Sequence, residues 1–411
     1  MSMHNIIKYK RCVSLLICLN ILLALIGCDL RISYNDLDEF DAEYRLNEDD
    51  ISSDEDLRFD IYNDAFTFRN IELMYSIYNS RVYYVAWNPF ILSYSSGDVI
   101  SSVCKDPICN HTTKKCITFD IFRSKMLIIN DVLYYRGMQT TNKNGIVNYT
   151  LNCLNLNSMK KRVVYETNNS IQTYFNTGKY LYIIDNIGDN QNALIRIDLH
   201  ENQAVKLANY DSSSITQITG YNGNIYYLKY GELCAADYNF MNEKVLIEGL
   251  TVKDYGFNNG NVYFSTYGSS TYSDLYEFNI SSGTLRLLVE NVYSYFVDNE
   301  NLYFSLYNPV DGYKITEGED EYIISIPSGN VIYAVALDEV YADGTKNARE
   351  FISPPNGYYY YDLFFVYDNY LYAMLRSRYK NDKGDYSHVD YFMRTHIKEI
   401  NWEELTCYLP F

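Results

Sequence analysis

One short cluster recurs along this chain and limits what it can become. An aliphatic residue followed by aromatic or apolar ones appears seven times: Val82-Tyr83-Tyr84, Leu133-Tyr134-Tyr135, Leu181-Tyr182-Ile183, Ile225-Tyr226-Tyr227, Val262-Tyr263-Phe264, Leu302-Tyr303-Phe304 and Leu371-Tyr372-Ala373. Counted from the first aromatic of each, the steps are 51, 48, 44, 37, 40 and 69 residues. A period of about 40–50 residues marks propellers and solenoids. Turn signals precede the clusters, as in Tyr221-Asn-Gly-Asn224, Asn258-Asn-Gly-Asn261, Val297-Asp-Asn-Glu-Asn301 and Tyr367-Asp-Asn-Tyr370. Asn and Gly tolerate the positive φ that tight hairpins need. A second apolar run follows each cluster, ending near a small polar residue, as in Leu194–Asp198, Leu233–Asp237 and Leu275–Asn279. After another turn come runs such as Val205–Ala208, Lys244–Ile247 and Leu285–Val289. One unit therefore reads as four short strands in hairpin order.

Helical periodicity is nearly absent after residue 80, and 46 tyrosines join Ile, Val and Phe, which suit half-buried pleated surfaces. The expected fold class is all-β: a β-propeller of four-stranded antiparallel blades, in which stacked sheets bury each other's faces. Seven blades are expected. A degenerate first unit would make six, eight is the other alternative, and Leu57–Phe68 could add a closing strand. Two unrelated β-sandwiches would not place the same cluster after the same turn seven times. Extra length is assigned to insertions at Met138–Val147, Val310–Gly329 and Val340–Asn356, the last two accounting for the long final step. Tyrosine suits contacts between blades, its ring supplying apolar area while its hydroxyl reaches a backbone group or water.

The N-terminus supplies an address. Lys8, Lys10 and Arg11 precede an apolar run, Cys12 to Gly27, that ends at Cys28. A basic stretch followed by a short apolar core is a secretory signal rather than a membrane-spanning helix. Leu25-Ile26-Gly27-Cys28 resembles the lipobox of bacterial lipoproteins, which implies that Cys28 is diacylated and begins the mature chain. The domains are then 1–27, signal peptide; 28–69, acidic tether and candidate closing strand; and 70–411, propeller. The expected location is the extracytoplasmic face of the cell membrane, with the lipid anchor as the link to the membrane. Loss of Lys8, Lys10 and Arg11 takes the formal charge from −18 to −21. Residues 29–64 hold fourteen acidic side chains against Arg31, Arg45 and Arg58, a density that favours an extended tether. The net charge argues against nucleic acid as a partner.

The most distinctive local motif is Cys104-Lys-Asp-Pro-Ile-Cys109-Asn-His111-Thr-Thr-Lys-Lys-Cys116. Cys104, Cys109, His111 and Cys116 have the composition of a Cys₃His zinc site, although the usual C-x₂-C pair is missing. A disulfide among the cysteines and a set of reduced, buried or exposed thiols stay open as alternatives, since export favours oxidation and an anaerobic habitat does not. Cys153, Cys234 and Cys407 lie in strand-like patterns and read as small buried hydrophobes. Together the lipobox, the Cys-x-Asp-Pro-x-Cys-x-His motif and the Tyr-rich repeats resemble a family of Tyr-rich β-propeller surface lipoproteins from clostridial-type Gram-positive bacteria, similar to propellers of the low-density-lipoprotein-receptor type. That resemblance implies a fold and a location, and no activity. The receptor signature Tyr-Trp-Thr-Asp is absent.

Enzyme signatures are absent as well: no G-x-S-x-G, P-loop, G-x-G-x-x-G or H-E-x-x-H occurs. His4 leaves with the signal, and His200, His388 and His396 fall near turns or strand ends. Asp198, Asp237 and Asp338 recur at one repeat position, as turn residues would. The expected function is a non-catalytic binding or scaffold module for a protein, peptide or glycan, with no resident cofactor except zinc if the cysteine motif binds it. Tyr341, Tyr358 to Tyr361 and Tyr379 are expected in exposed loops. Two other classes stay open: a glycan hydrolase using paired carboxylates in a central funnel, and an accessory factor in envelope protein assembly.

Overall fold

A computed structural model of the 411-residue chain describes residues 75–87, 90–104, 109, 116–118, 121, 125–137, 139–141, 145–177, 180–199, 203–267, 273–306, 308–317, 320–328, 331–343, 345–380 and 386–407. The signal, Cys28, the acidic tether and Leu57–Phe68 lie outside these residues. The described chain is almost all β, with small antiparallel sheets arranged as a β-propeller.

The first sheet is β1 (Tyr75–Tyr78), β2 (Arg81–Trp87), β3 (Phe90–Ser96) and β4 (Val99–Ser102). The second holds β5 (Met126–Ile129), β6 (Val132–Arg136), β7 (Thr140–Thr141), β8 (Val147–Asn155) and β9 (Lys161–Thr167), with β7 and β9 both paired to β8. Next come β10 (Ser170–Asn176), β11 (Tyr180–Gly188), β12 (Gln191–Asp198) and β13 (Gln203–Asp211), then β14 (Ile215–Tyr221), β15 (Asn224–Lys229), β16 (Glu232–Asp237) and β17 (Lys244–Ile247). A seven-stranded sheet follows in the order β18 (Val252–Asn258), β19 (Asn261–Thr266), β20 (Ser273–Asn279), β21 (Leu285–Val297), β22 (Asn301–Leu306), β25 (Ile332–Ala336) and β26 (Arg349–Ile352). Between β22 and β25 stands a separate hairpin, β23 (Asn308–Glu317) and β24 (Asp320–Ser328), and helix α1 (Leu337–Asp343) follows β25. The last sheet is β27 (Tyr358–Tyr367), β28 (Tyr370–Lys380), β29 (Tyr386–His396) and β30 (Glu403–Cys407).

The structure thus has five separate blades, where the repeat count led us to expect seven. The difference has one physical cause. β21 pairs with β20 through Leu285–Val292 and with β22 through Val292–Val297, so one strand is the outer edge of one four-stranded meander and the inner edge of the next. Asn291, at φ 59°, bends the strand between its two roles without a connecting loop. The seven-stranded sheet is therefore two repeat units fused.

All seven recurring clusters fall on the second strand of a meander, and the aliphatic residue that opens each is 0% exposed. Outer strands such as β9, β13 and β17 are largely half-buried or exposed, so burial falls outward along these blades. The turns before the clusters are those the sequence indicates at Asn222-Gly223, Asn259-Gly260 and Asp368-Asn369, each with both residues at positive φ. Asp298-Asn299-Glu300 is different: its turn is held by the Asp298 carboxylate, which accepts from the N–H groups of Glu300 (2.8 Å) and Asn301 (2.6 Å). Of the expected insertions, Val310–Gly329 lies on the β23–β24 hairpin, while Val340–Asn356 holds the end of α1 and the edge strand β26.

Tyrosine hydroxyls tie neighbouring units together. Tyr174 donates to the Lys125 carbonyl and Tyr255 to that of Gln217, in each case on the preceding unit, and Tyr295 donates to Asp254 Oδ1 at 3.0 Å. At the far end of the inner strands, Tyr78 Oη accepts from Asp131 N–H (2.9 Å) and Tyr221 Oη from Gly260 N–H (3.1 Å). The rings supply the rest: Tyr221 stacks on Phe257 with centroids 4.3 Å apart. The ring is closed by the same means. Tyr75 on β1 stacks on Phe365 on β27 at 4.7 Å, and Arg394 on β29 binds Ser95 and the Gly97 carbonyl on the first blade. Each terminal blade is built from its own four consecutive strands, so the described closure uses side chains and no exchanged strand.

Candidate functional site

An antiparallel meander puts the loop between its second and third strands, and the crossover to the next unit, at one end of the blade. The hairpin turns between first and second strands lie at the other end. Most crossovers are short: 168–169 between β9 and β10, 212–214 between β13 and β14, and 248–251 between β17 and β18. The exception is 103–125, between β4 and β5. That long crossover carries the cysteine motif.

Its described residues are strongly anchored. Val103 N–H donates to the Leu92 carbonyl at 2.9 Å and is followed by buried Cys104; Cys116, Thr118 and Ile121 are also buried. Cys109 is half-buried. The Sγ atoms of Cys104, Cys109 and Cys116 all lie within 4.8 Å of one another, and all three residues are thiols. Cys116 Sγ is 3.2 Å from Thr118 Oγ1, and the Cys104 N–H donates to Ser102 Oγ. Three residues that the sequence singled out are thus brought to one point, and His111 lies outside the described residues. Three convergent sulfurs can bind a soft cation or exchange disulfides.

The remaining described cysteines behave differently. Cys153 and Cys234 are buried within strands β8 and β16, and burial raises both thiols, that of Cys234 to about 11. They are packing residues that stay protonated at neutral pH. Cys407 lies in β30, as its pattern suggested. His396 ends β29, its Nδ1 accepting from the Lys398 N–H and its ring set edge-on to Tyr370. His388 falls within β29, whereas His4 and His200 lie outside the described residues.

The buried carboxylates are engaged internally. Asp185 Oδ2 accepts from Tyr165 and Thr167; Asp254 accepts from Tyr295; Glu277 Oε1 accepts from Asn261, Tyr263 and Tyr341. At the repeat position read as a turn, Asp237 accepts from the N–H groups of Asn239 and Met241 and from the Asn242 amide. Those bonds outweigh the penalty of burial and hold the Asp237 carboxyl below its ordinary range. Asp338 likewise accepts from the Glu339 N–H at the start of α1.

The end of the propeller that carries the crossovers also presents side chains to solvent. Tyr230, in the turn between β15 and β16, is 78% exposed, and Tyr267, after β19, is 63% exposed. Ile146, Ile187 and Leu306 sit at the same end of other units and are exposed. Bulges on the inner strands add polar groups there. Register shifts at Ile171/Thr173, Thr216/Thr219 and Val252/Asp254 accompany exposed Gln172 and half-buried Gln217 and Lys253, the Gln217 amide donating to the Lys253 carbonyl at 2.6 Å. An innermost strand that exposes a side chain can present it only to the axis or its mouth. Composition does not mark these residues, because a bulge interrupts alternation without changing it.

Several expected loop tyrosines lie on strands instead. Tyr358 to Tyr361 lie on the inner strand β27, with Tyr359 and Tyr360 buried, and Tyr379 lies on β28. A four-tyrosine run looks like a decorated loop, yet on this inner strand Tyr359 and Tyr360 turn into the core, Tyr360 against Phe364 and Trp402. Tyr341 is on α1 and part-exposed, with its hydroxyl bonded to Glu277 at 2.7 Å and Arg286 stacked over its ring at 4.4 Å.

Fold and site together define a β-propeller whose crossover end is rich in loops, exposes aromatic groups and gathers three thiols. No protein-family description matches the chain, and no curated protein matches it. Among solved structures it is similar to oligogalacturonate lyase in complex with manganese, at 11% identity and a TM-score of 0.45, over 72% of this chain and 82% of that one. It is also similar to TolB from Acinetobacter baumannii (11% identity, TM-score 0.38, 63% of this chain and 61% of that one) and to a chain of a nidogen/laminin complex (11%, 0.36, 68% and 93%). The chain thus spans about three fifths of the TolB structure's length. At these identities the likeness concerns the fold alone.

Proposed function

We propose that this chain is a lipid-anchored, extracytoplasmic binding module that holds a protein, peptide or glycan ligand on the crossover end of its propeller and performs no chemistry on it. One observation carries the reading. Most described tyrosines are consumed by packing or by hydroxyl bonds between units, whereas Tyr230 and Tyr267, on successive units, project into solvent, and no hydrogen bond or ring contact ties either side chain to another described one. Large exposed aromatics beside polar groups characterise recognition surfaces, where rings supply contact area at little entropic cost. Exposed Gln172 supplies an adjacent hydrogen-bonding group. The lipobox supports anchoring through Cys28 and a place outside the membrane.

Two experiments test the parts separately. Metabolic labelling with a fatty acid should mark the wild type and leave Cys28→Ser unlabelled; equal labelling would remove the anchor. Capture from envelope extract, run beside a panel of cell-wall and host glycans, should yield a ligand whose retention falls at least ~10-fold in the Tyr230→Ser/Tyr267→Ser variant. Absence of any retained ligand, or equal retention by the variant, would overturn the binding function.

A further inference from the structure

We propose that Cys104, Cys109 and Cys116 bind one zinc ion as thiolates, and that this ion staples the long crossover between the first two blades. The argument starts from the connection itself. Residues 103–125 join the outer edge of one blade to the inner strand of the next, a path that other units cover in a few residues. A crossover of this length loses conformational entropy on folding, and a cross-link within it reduces that loss. The three sulfurs are where such a link would be made.

Their geometry suits a metal better than a disulfide. Sulfurs around one tetrahedral zinc, each at about 2.3 Å, stand ~3.8 Å from one another. Three sulfurs mutually within 4.8 Å need only a small contraction to reach that arrangement. A disulfide would draw two sulfurs to about 2.05 Å and gives no reason for the third to converge equally. Thiolate donors select zinc among the common divalent ions, hard magnesium and calcium preferring oxygen. The Thr118 hydroxyl, 3.2 Å from Cys116 Sγ, is placed to donate to a thiolate there, as outer partners of metal ligands do. Lys105 and Lys115 adjoin the first and last ligands in the chain, providing positive charge against the single net negative charge of three thiolates and Zn²⁺. Binding releases up to three protons, so affinity falls as pH drops. The cluster is also set apart from Cys153 and Cys234, whose burial keeps them protonated.

The full-length chain, extracted in detergent without oxygen, provides the test. Elemental analysis should find about one zinc per chain, and a thiol reagent should label the three cysteines only after a strong chelator is added. Cobalt substitution should produce a sulfur-to-metal charge-transfer band. Cys109→Ser, which changes the half-buried ligand and spares the core, should weaken zinc binding at least ~10-fold in competition with a chromophoric chelator. Chain isolated from zinc-containing medium with no metal and fully reactive thiols would overturn the proposal. So would an intact mass two hydrogens low, which marks a disulfide, or unchanged affinity in Cys109→Ser. All of these readouts are independent of ligand capture on the tyrosine rim.

Discussion

Arg394 reaches Ser95 across 299 residues of sequence and joins the last blade to the first. Its side chain is 1% exposed, and it also donates to the Gly97 carbonyl at 2.7 Å, pairs with Glu403 and lies 4.5 Å over the Tyr370 ring. Ser95 Oγ is in turn 2.8 Å from Tyr372 Oη. A buried guanidinium satisfied on every side holds a joint where no strand crosses.

Removing it should open that joint. Arg394→Met keeps much of the volume but leaves the Gly97 carbonyl and Ser95 without their charged donor, and is expected to cost about 3 kcal/mol in urea denaturation. Glu403 is 43% exposed at its side chain, so Glu403→Gln should cost under about 1 kcal/mol. Equal effects of the two changes would mean that the ion pair, rather than the contact between blades, carries the energy.

Gly220 tests how tightly neighbouring blades approach. A Cβ there would stand 1.9 Å from the Asn176 carbonyl oxygen on the preceding unit, and backbone cannot move aside as a side chain can. Gly220→Ala should therefore destabilise by about 3 kcal/mol, at the upper end for overpacking. Gly223, at φ +78° in the hairpin turn just beyond, has nothing within 4 Å of its would-be Cβ. Gly223→Ala should cost only about 1 kcal/mol, the strain of a left-handed L-residue. Thermal melts of the two variants separate crowding from conformational strain.

The contrast between these two glycines shows what the sequence could disclose. Gly223 sits in an Asn-Gly turn ahead of a repeated cluster, a local pattern with a local cause, and the seven clusters, the strand order and the turns were legible for the same reason. Gly220 is a glycine in an ordinary-looking strand whose constraint comes from Asn176 on another blade. The fusion of two units through β21, the bulges at Gln217 and Lys253, and the reach of Arg394 to Ser95 are likewise set by distant partners. The thiol site lay between these cases. Its residue types were visible in one short segment, while their convergence depended on how the crossover between two blades is anchored.

The tyrosines should resist base together. Burial pushes Tyr182 and Tyr226 up to about 12, and a hydrogen bond to Asp98 followed by burial does the same for Tyr370; burial also raises Tyr84, Tyr134, Tyr255 and Tyr360. A phenol whose folded pKa exceeds its unfolded value of about 10 keeps its proton in the native state. Its contribution to stability is whole below pH ~10 and is lost as pH climbs through ~12. Phenolate absorbance should therefore show only a small class of tyrosines titrating reversibly near pH ~10. The large remainder should ionise in a steep step coincident with loss of the β-sheet circular dichroism signal. A single broad titration of all tyrosines with the fold intact would contradict the packing described here.

Tyr230 and Tyr267 provide the sharpest separation of function from fold. Each lies at the crossover end of its unit, exposed and unused by the packing that holds the other tyrosines. Replacing either with Ser removes ring area from solvent and breaks no described side-chain bond, so melting temperature and urea midpoint should stay within about 0.5 kcal/mol of wild type. Tyr226, four residues before Tyr230 on β15 but buried against Tyr221 and Phe257, provides the opposite case. Tyr226→Ser should cost about 3–5 kcal/mol through the cavity it leaves. If ligand capture falls in the stable Tyr230→Ser and Tyr267→Ser variants, contact by those rings is responsible rather than loss of structure. If capture falls only in Tyr226→Ser, the crossover rim is not the binding surface and recognition depends on the integrity of the ring alone.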